Sequence, residues 1–261
     1  MNKLPYVTII IPYKNNLDYL FSALKSIFKQ SYKNFKILII YDDEDKSDLL
    51  KIKNFFKKIT IKRKIHFRII VNRTSLGAGY ARNVGIKKSK TKYLAFLDSD
   101  DLWAKNKLKI QINYMEKNDI LFSHTSYHVI NANNKIISSR SASKRIIFQD
   151  LIKSCDIGLS TVILNSNLLV KNKLFFPRMK TKEDYILWLQ IAKKIKIIRG
   201  LNIKLTYYRK TKNSLSSNKL ISLINGYKVY RNYMNYGVIK SLFYLFILSI
   251  NSVKKIIVNY K

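Results

Sequence analysis

The sequence is poor in acidic residues and in cysteine, and it has no long hydrophobic run. It holds 15 Asp and Glu residues against 50 Lys and Arg residues. The one cysteine, Cys155, excludes a disulfide framework and cysteine-rich zinc sites, and it favours the cell interior as the compartment. No apolar run approaches the about 20 residues that a membrane-spanning helix needs. The first residues lack the pattern of a signal peptide, so we expect no such leader.

What is present indicates a folded protein with an uneven charge. The 261 residues suffice for one large domain, or for a domain with a small appendage. A hydrophobic content of 47% excludes disorder as the dominant state. No Asp or Glu follows Asp184, whereas residues 185–261 carry 15 Lys or Arg residues. A segment with charge of one sign attracts polyanions, which means nucleic acid or an anionic bilayer.

Predicted strands and helices alternate through the first 110 residues. The predicted strands are 7–11, 35–41, 67–71 and 93–97, and the predicted helices are 17–30, 49–56 and 80–86. This alternation predicts an α/β protein with a doubly wound, mainly parallel sheet flanked by helices. Ligands of such sheets bind beyond the carboxyl ends of the strands. Pro12, Asp43 and the Asp98 to Asp101 segment all follow strand ends, so we expect them at one edge.

Beyond residue 110 the pattern is mixed. The predicted helices there are 107–117, 148–153 and an amphipathic one at 183–194, and the predicted strands are 120–129, 135–139, 160–164 and 205–208. Residues 216–261 are expected to form a helical, aromatic and basic extension. Their apolar run at 242–250 is too short to cross a bilayer, but such a helix can lie in the interface.

The segment 93–103 is the most informative one, because its apolar strand ends in Asp98, Ser99, Asp100 and Asp101. Two carboxylates about 5 Å apart repel by about 1 kcal/mol in water and about 3 kcal/mol at a protein-like dielectric. A hard divalent ion such as Mg²⁺ or Mn²⁺, bridging carboxylates to a phosphate, would offset this repulsion. The alternative is a solvated turn that caps a helix starting near Leu102.

Six segments, in order along residues 5–212, resemble the family 2 glycosyltransferases, which are inverting enzymes of the GT-A fold that use nucleotide-diphospho-sugars. The segments are VTIIIPYKN, the acidic pair Asp42-Asp43, LGAGYARNVGI, FLDSDDLW, KEDYILWLQ and TYYRKTKNSLSSNK. Two positions depart from the family pattern. Glu44 stands where a Gly usually follows the acidic pair, and Thr211 stands where a His is common.

The resemblance implies a nucleotide-sugar donor, a glycan or lipid-linked acceptor, and Mn²⁺ or Mg²⁺ as cofactor. It implies that residues 1–110 bind the nucleotide sugar and that residues 111–215 bind the acceptor. The implied donor-binding residues are Pro12, Tyr13, Asn15, Asp43, Gly79, Arg82, Asp98 and Ser99. The implied metal ligands are Asp100 and Asp101. The possible acceptor or phosphate contacts are Glu183, Trp188, Arg209 and Ser214.

The resemblance also implies that Asp184 is the catalytic base. Asp184 begins the predicted helix 183–194, and a helix N-terminus lowers a carboxylate pKa, so we expect it to be ionised but weakly basic. Attack on the sugar with one base and no covalent intermediate predicts inversion. The alternative interpretation is that Glu183 and Asp184 only complement the helix dipole.

The leading functional hypothesis is a metal-dependent inverting glycosyltransferase of bacterial envelope polysaccharide or lipopolysaccharide assembly. We expect it on the cytoplasmic face of the plasma membrane, in peripheral contact with anionic lipid. A nucleic-acid-binding protein would explain the basic charge, but the sequence has no groove-reading motif and the Asp cluster would be unexplained. A sugar nucleotidyltransferase would need a Gly-rich basic signature where PYKNNLDYL stands. His124 and His128 lie in a predicted strand, which does not favour a zinc site.

Overall fold

The computed structural model describes residues 6–60, 65–211 and 219–258, which form a ten-stranded sheet flanked by helices. The strands are β1 Val7–Tyr13, β2 Phe35–Tyr41, β3 His66–Val71, β4 Tyr93–Phe96, β5 Leu102–Trp103, β6 Phe122–Ile130, β7 Ile136–Arg140, β8 Arg145–Ile146, β9 Ile163–Asn165 and β10 Ile198–Arg209. The helices are α1 Leu17–Phe28, α2 Ser47–Thr60, α3 Ala78–Lys88, α4 Lys107–Lys117, α5 Phe148–Leu151, α6 Ser166–Asn172, α7 Glu183–Ala192, α8 Lys219–Lys228 and α9 Val238–Val258.

The sheet order is β3-β2-β1-β4-β9-β6-β10-β5, with β7 on β6 and β8 on β10. The first four strands in this order pair in parallel, as the alternation of strands and helices predicts. Antiparallel pairs enter where β9 joins β4 and β6, while β6 and β10 are parallel. The predicted mixed α/β sheet is confirmed, with its parallel part confined mostly to the first half of the chain.

Helices cover both faces of the sheet, which explains why the sequence of β1 is a nearly continuous apolar run. Ile9 and Ile11 pack in one hydrophobic cluster with α1 and α4. Ile10, which points to the other face, packs in a second cluster with α3 and α7. Alternate residues of one strand thus supply two separate cores, and the carboxyl ends of the strands remain open at one edge.

β1 continues through Pro12 to Tyr13, beyond the predicted end at residue 11. Pro12 has no N–H to donate, so it is tolerated in a strand only where no partner needs that hydrogen. β4 pairs with β1 only as far as Ile10. On the other side, the Tyr13 carbonyl accepts a hydrogen bond from Asp42 N at 2.8 Å, which ties the ends of β1 and β2 together.

Several other bounds shift by a few residues, β10 begins earlier than predicted, at Ile198, and three segments differ in kind. Leu102 and Trp103 form β5 against β10, and the next helix begins only at Lys107, so the proposed helix cap near Leu102 is wrong. Part of the strand predicted at 160–164 is a 3₁₀ turn at Leu159–Thr161. α7 is buried on nearly every side rather than amphipathic, because it packs between the sheet and the C-terminal helices.

The C-terminal helices are present as expected and pack on the α7 side of the protein. Val229, Tyr230 and Leu248 belong to the same hydrophobic cluster as α7. The Tyr230 hydroxyl donates to the Ile152 carbonyl oxygen at 2.9 Å. Within the described ranges, no helix has the length and apolar character needed to cross a membrane.

We predict that Gly85→Ala destabilises the fold, although Ala favours helices. A Cβ added to Gly85 would lie 2.6 Å from Cγ2 of the fully buried Ile10, so α3 would have to move away from β1. Overpacking of this kind costs about 1–3 kcal/mol of unfolding free energy. Gly158→Ala is the matched control, because its added Cβ would have only ordinary contacts, at 3.6 Å or more. Equal urea midpoints for the two variants would contradict the packing argument.

Candidate active site

The glycine-containing loop before α3 is fixed by a single carboxylate at the end of β2. Asp42 accepts hydrogen bonds from Asn72 Nδ2 at 2.7 Å, from Leu76 N at 3.2 Å and from Gly77 N at 2.7 Å. Gly77 has a φ of 94°, a conformation that a residue with a Cβ rarely adopts. The loop therefore passes over the ends of β1 and β2, and the acidic pair of the sequence explains how it is held there.

The predicted donor-binding residues at the end of β1 and in the loop after it differ in burial. Asp43 Oδ2 accepts from the backbone N of Asn15 at 3.0 Å, and Asn15 is exposed. Pro12 and Tyr13 are buried, and the Tyr13 hydroxyl donates to Asp48 Oδ2 at 2.6 Å. Donor binding by Pro12, Tyr13 and Asn15 stays a prediction, and of the three only Asn15 has an exposed side chain.

A buried ion-pair triad joins three elements at this edge. Arg82 of α3 donates from Nη2 to Asp98 Oδ1 and from Nη1 to Glu183 Oε1, both at 2.7 Å. Its guanidinium also lies over the Phe176 ring, 5.4 Å from the centroid. We expected Arg82 to contact the nucleotide and Glu183 to contact the acceptor or phosphate. In the structure the two side chains pair with each other, and contact of either one with a ligand stays a prediction.

Gly79 allows this triad to form. A Cβ at Gly79 would lie 3.0 Å from Cγ of Glu183 and 3.4 Å from the Pro177 carbonyl oxygen. Gly79 is buried where α3 packs closely against the start of α7, and its contact with the donor stays a prediction. The missing side chain is what brings Arg82 within reach of Glu183.

The three carboxylates that follow β4 differ in burial, in hydrogen-bond partners and in pKa. Asp98 is partly exposed and pairs with Arg82, and Ser99 and Asp100 are partly buried in the turn. Burial, and then the neighbouring charge of Asp98, raise the pKa of Asp100 to about 6. Asp101 is buried and accepts from Arg209 N at 2.8 Å, and burial followed by the charge of Asp100 raises its pKa as well.

These positions decide which residues fit a divalent ion. Across the described ranges, no three His, Cys, Asp or Glu residues lie close enough together to hold a metal. The carboxyl group of Asp100 fits an ion because its burial beside another carboxylate leaves negative charge that a cation would neutralise. Asp98 can supply a second oxygen. Asp101 does not fit the expected role, because its carboxyl group is turned inward onto the backbone of β10.

Arg209 and Trp188 both make extensive contacts within the protein, and their predicted contacts with acceptor or phosphate stay predictions. The Arg209 guanidinium stacks on the Tyr19 ring at 4.4 Å. Its donors are used by protein oxygens, namely Asp100 O, Asn131 O, Ala132 O and Asn134 Oδ1. Trp188 is fully buried among Phe96, Phe122 and Phe176. Ser214 lies outside the described residues.

Asp184 is partly buried at the start of α7, and its Oδ1 accepts from Tyr185 N at 2.7 Å. Burial is the largest influence on its pKa and the charge of Glu183 is the next, and together they raise it to about 7. The expected lowering by the helix N-terminus is wrong, because desolvation outweighs the helix dipole here. A carboxylate with this pKa can accept a proton near neutral pH.

Ser160, which was not among the predicted site residues, supports the turn after β4. Asp98 N donates to Ser160 Oγ at 3.0 Å, and Trp103 Nε1 donates to the Ser160 carbonyl at 2.8 Å. A serine beside a 3₁₀ turn carries no motif, so only the three-dimensional contact identifies it.

We predict that Arg82→Leu destabilises the protein by about 3–5 kcal/mol, because it leaves the buried Glu183 carboxylate and the partly exposed Asp98 carboxylate without their cation. The exposed pair between Lys51 and Asp48, at 3.1 Å, provides the control. Lys51→Ala should cost under about 1 kcal/mol. Urea denaturation measures both values, and similar losses for the two variants would show that the triad does not stabilise the site.

Comparison with known proteins shows relatives along almost the whole chain. Residues 8–175 match the glycosyl transferase family 2. The UDP-Glc:alpha-D-GlcNAc-diphosphoundecaprenol beta-1,3-glucosyltransferase WfgD of Escherichia coli is 34% identical over 256 residues, which cover 98% of this chain and 96% of that protein. The Escherichia coli protein WfaP, which carries the same activity name, is 39% identical over 218 residues, covering 84% of this chain and 82% of its own.

Solved structures agree in fold. The S. aureus TarS structure with UDP-GlcNAc has a TM-score of 0.70 and 20% identity, covering 92% of this chain and 70% of that chain. The mannosyltransferase PcManGT from Pyrobaculum calidifontis, with GDP-Man and Mn²⁺, has a TM-score of 0.66 and 12% identity, covering 97% of this chain and 74% of that chain. The expected GT-A fold is confirmed. The chain belongs to the glycosyl transferase family 2 and is a glycosyltransferase.

Proposed function

We propose that this glycosyltransferase moves a sugar, with inversion, from a UDP-sugar to a hydroxyl of a lipid-linked glycan in bacterial envelope polysaccharide assembly. The observation that carries the proposal is the partly buried carboxyl group of Asp184, with a pKa of about 7, beside the Arg82 triad at the open edge of the sheet. The two Escherichia coli relatives, which are named for UDP-Glc and a diphosphoundecaprenol acceptor, make UDP-glucose the first donor to test.

Asp184 is the base in this proposal because the neighbouring carboxylate is already engaged. Arg82 holds Glu183, whereas Asp184 forms no ion pair within the described part of the chain. Asp184 would accept the proton of the acceptor hydroxyl as its oxygen attacks the anomeric carbon. The attack comes from the side opposite the leaving diphosphate, so one displacement inverts the configuration.

Asp100, with Asp98 beside it, would hold the Mn²⁺ or Mg²⁺ ion. When bound, the ion supplies Lewis-acid stabilisation of the leaving diphosphate. Arg82 keeps Asp98 in place from beneath, and Asn15 and Ser99 lie on the donor side of the edge. Asp43 fixes the loop that carries Asn15. The halves at 1–110 and 111–215 would bind donor and acceptor respectively, across one continuous sheet.

We also place the enzyme at the inner face of the plasma membrane, as a peripheral protein. A lipid-linked acceptor would be anchored there, and the net charge of +35 favours an anionic surface. Transfer assays with a polyprenyl diphosphate-linked sugar as acceptor test the function directly. The anomeric configuration of the product, measured by NMR, should be opposite to that of the donor sugar, and retention would exclude the single displacement.

We predict that Asp184→Asn lowers kcat at least about a hundredfold while nucleotide binding changes little, because the amide cannot accept the proton. In the wild type, kcat/KM should fall as the pH decreases through about 7, since the base must be ionised. The pH profile of Asp184→Asn should not show this decrease in kcat/KM. Glu183→Gln is not equivalent, because it breaks the triad. Wild-type turnover in a folded Asp184→Asn protein would exclude this base.

The stability of Asp184→Asn tests the raised pKa of Asp184 independently of the activity. A raised pKa means that the fold disfavours the ionised carboxylate, so the wild type loses stability as the pH rises through about 7. Asp184→Asn should therefore be more stable than the wild type by about 1–3 kcal/mol at pH 8, because a shift of one unit corresponds to about 1.4 kcal/mol before solvent screening. The difference should shrink towards pH 4.

We predict that UDP binding requires the metal and depends on Asp100. Calorimetry should show at least about tenfold weaker UDP affinity in EDTA than in Mn²⁺, and Asp100→Asn should lose most of this metal dependence. Asp119→Asn is the control, since Asp119 is exposed and lies before β6, at the other end of the strands. Equal UDP affinity with and without metal in the wild type would remove the metal from the proposal.

A further inference from the structure

The outer surface of α8 and α9 carries large apolar side chains that no part of the described chain covers. This surface, here called the docking face, consists of Leu220, Leu223 and Ile224 of α8 and Ile239, Leu242, Phe243, Phe246, Ile250 and Val253 of α9. The exposed fractions reach 86% at Ile239, 70% at Leu220 and 65% at Phe246. A face with this many large apolar side chains is unusual for water-exposed helices and marks an interaction site.

The fold uses only the opposite side of α9. Ser241 and Leu248 are buried, and Leu245 and Tyr244 pack against the core, Tyr244 stacking on Tyr230 at 5.6 Å. The α9 residues of the docking face recur at spacings of three and four, so they form a separate stripe along the helix. Tyr244 and Leu245 are therefore unavailable to a partner, whereas the side chains of the docking face do not pack in the described core.

The charges around the docking face indicate what kind of surface covers it. The exposed Lys228 lies on α8, the exposed Lys240 and Lys254 lie on α9, and the exposed Arg231 lies in the segment between the two helices. No Asp or Glu occurs anywhere in residues 185–261. A second copy of the chain would bring an equally basic face against this one and would be repelled. A nucleic acid would satisfy the lysines but not the apolar stripe, whereas an anionic bilayer offers both acidic headgroups and an apolar interior.

We propose that the docking face inserts into an anionic lipid surface, with α8 and α9 lying in the interface. The proposal rests on the proposed function, because it supplies the surface through which the enzyme reaches a lipid-linked acceptor. The leucine, isoleucine and phenylalanine side chains enter the acyl boundary, and the flanking basic groups contact the headgroups. This geometry needs no helix that crosses the membrane.

The docked helices are tied to the loops around the proposed base. Asn225 Nδ2 donates to Thr181 Oγ1 at 2.8 Å, three residues before Asp184. Asn251 Nδ2 donates to the Lys153 carbonyl at 2.9 Å, and Lys255 pairs with Asp156. Insertion of the docking face thus holds the segments at 153–156 and 181–184 at a fixed height above the lipid, where a membrane-anchored acceptor presents its hydroxyl.

Vesicle flotation tests the proposal with the full-length chain. The wild type should float with vesicles of phosphatidylcholine mixed with phosphatidylglycerol, and binding to phosphatidylcholine alone should be much weaker. The triple variant Ile239→Ser/Phe243→Ser/Phe246→Ser should lose at least about a hundredfold in vesicle affinity, from the apolar area withheld from the bilayer. Lys240→Gln/Lys254→Gln should lose about fivefold per lysine, and only on anionic vesicles.

The control is Ile136→Ser/Ile137→Ser, which removes two equally apolar, half-exposed side chains from β7, outside the docking face. It should bind vesicles as the wild type does, and circular dichroism should show that all variants fold. Unchanged binding of the triple variant would overturn the proposal. So would a wild type that stays with the aqueous phase and forms a dimer, by analytical ultracentrifugation, that the triple variant abolishes.

The outcome is separable from that of the proposed function. Turnover of a short-chain, water-soluble acceptor should be unchanged in the triple variant, while turnover of a vesicle-embedded acceptor should fall with vesicle affinity. Loss of vesicle binding with unchanged turnover of embedded acceptor would reject docking and leave the transferase intact. Vesicle binding without any sugar transfer would reject the proposed function and leave docking intact.

Discussion

The buried guanidinium of Arg82 is the interaction on which the site depends. It neutralises Asp98 at the end of β4 and Glu183 at the start of α7, and it lies on α3, so one cation fixes three elements. Without it, carboxylates from separate parts of the chain would face one another across a partly dry edge and repel. It engages Glu183, whereas the neighbouring Asp184, the proposed base, forms no ion pair among the described residues. The positions of the proposed metal-binding and acceptor-binding carboxylates therefore depend on one ion-pair triad.

Three carboxyl groups at the edge of the sheet lie in surroundings that disfavour their ionised form. Burial is the main reason that the pKa values of Asp100, Asp101 and Asp184 all lie above their usual range. A core built for stability alone would not hold such groups, whereas a site that binds a cation and accepts a proton needs them. Asp101 shows that the same chemical group can serve differently one residue away, because its bond to Arg209 N turns it into a link between β10 and the turn after β4.

The local sequence pattern predicted the positions of the strands and helices well, but it predicted the surroundings of individual side chains poorly. β2 and α4 begin and end where hydrophobic spacing placed them, since each is defined by its own residues. The pKa of Asp184 was predicted in the wrong direction, because its desolvation depends on how residues distant in sequence pack around the start of α7. The contacts of Arg209 could not be predicted for a similar reason: its partners at 131, 132 and 134 belong to a turn some 75 residues away, and no spacing rule connects them.

The C-terminal helices show why burial matters as much as composition. From sequence, all of the aromatic and aliphatic residues at 242–250 were equivalent, yet the fold divides them by helical phase. Leu248 and its inward neighbours complete the core beside α7, and Tyr230 reaches Tyr185 through their hydroxyl groups at 3.3 Å. The outward residues find no such partner among the residues described. Because one helix carries both sets, a surface that binds the outer set is connected, through α7 and the loop before it, to the proposed base Asp184.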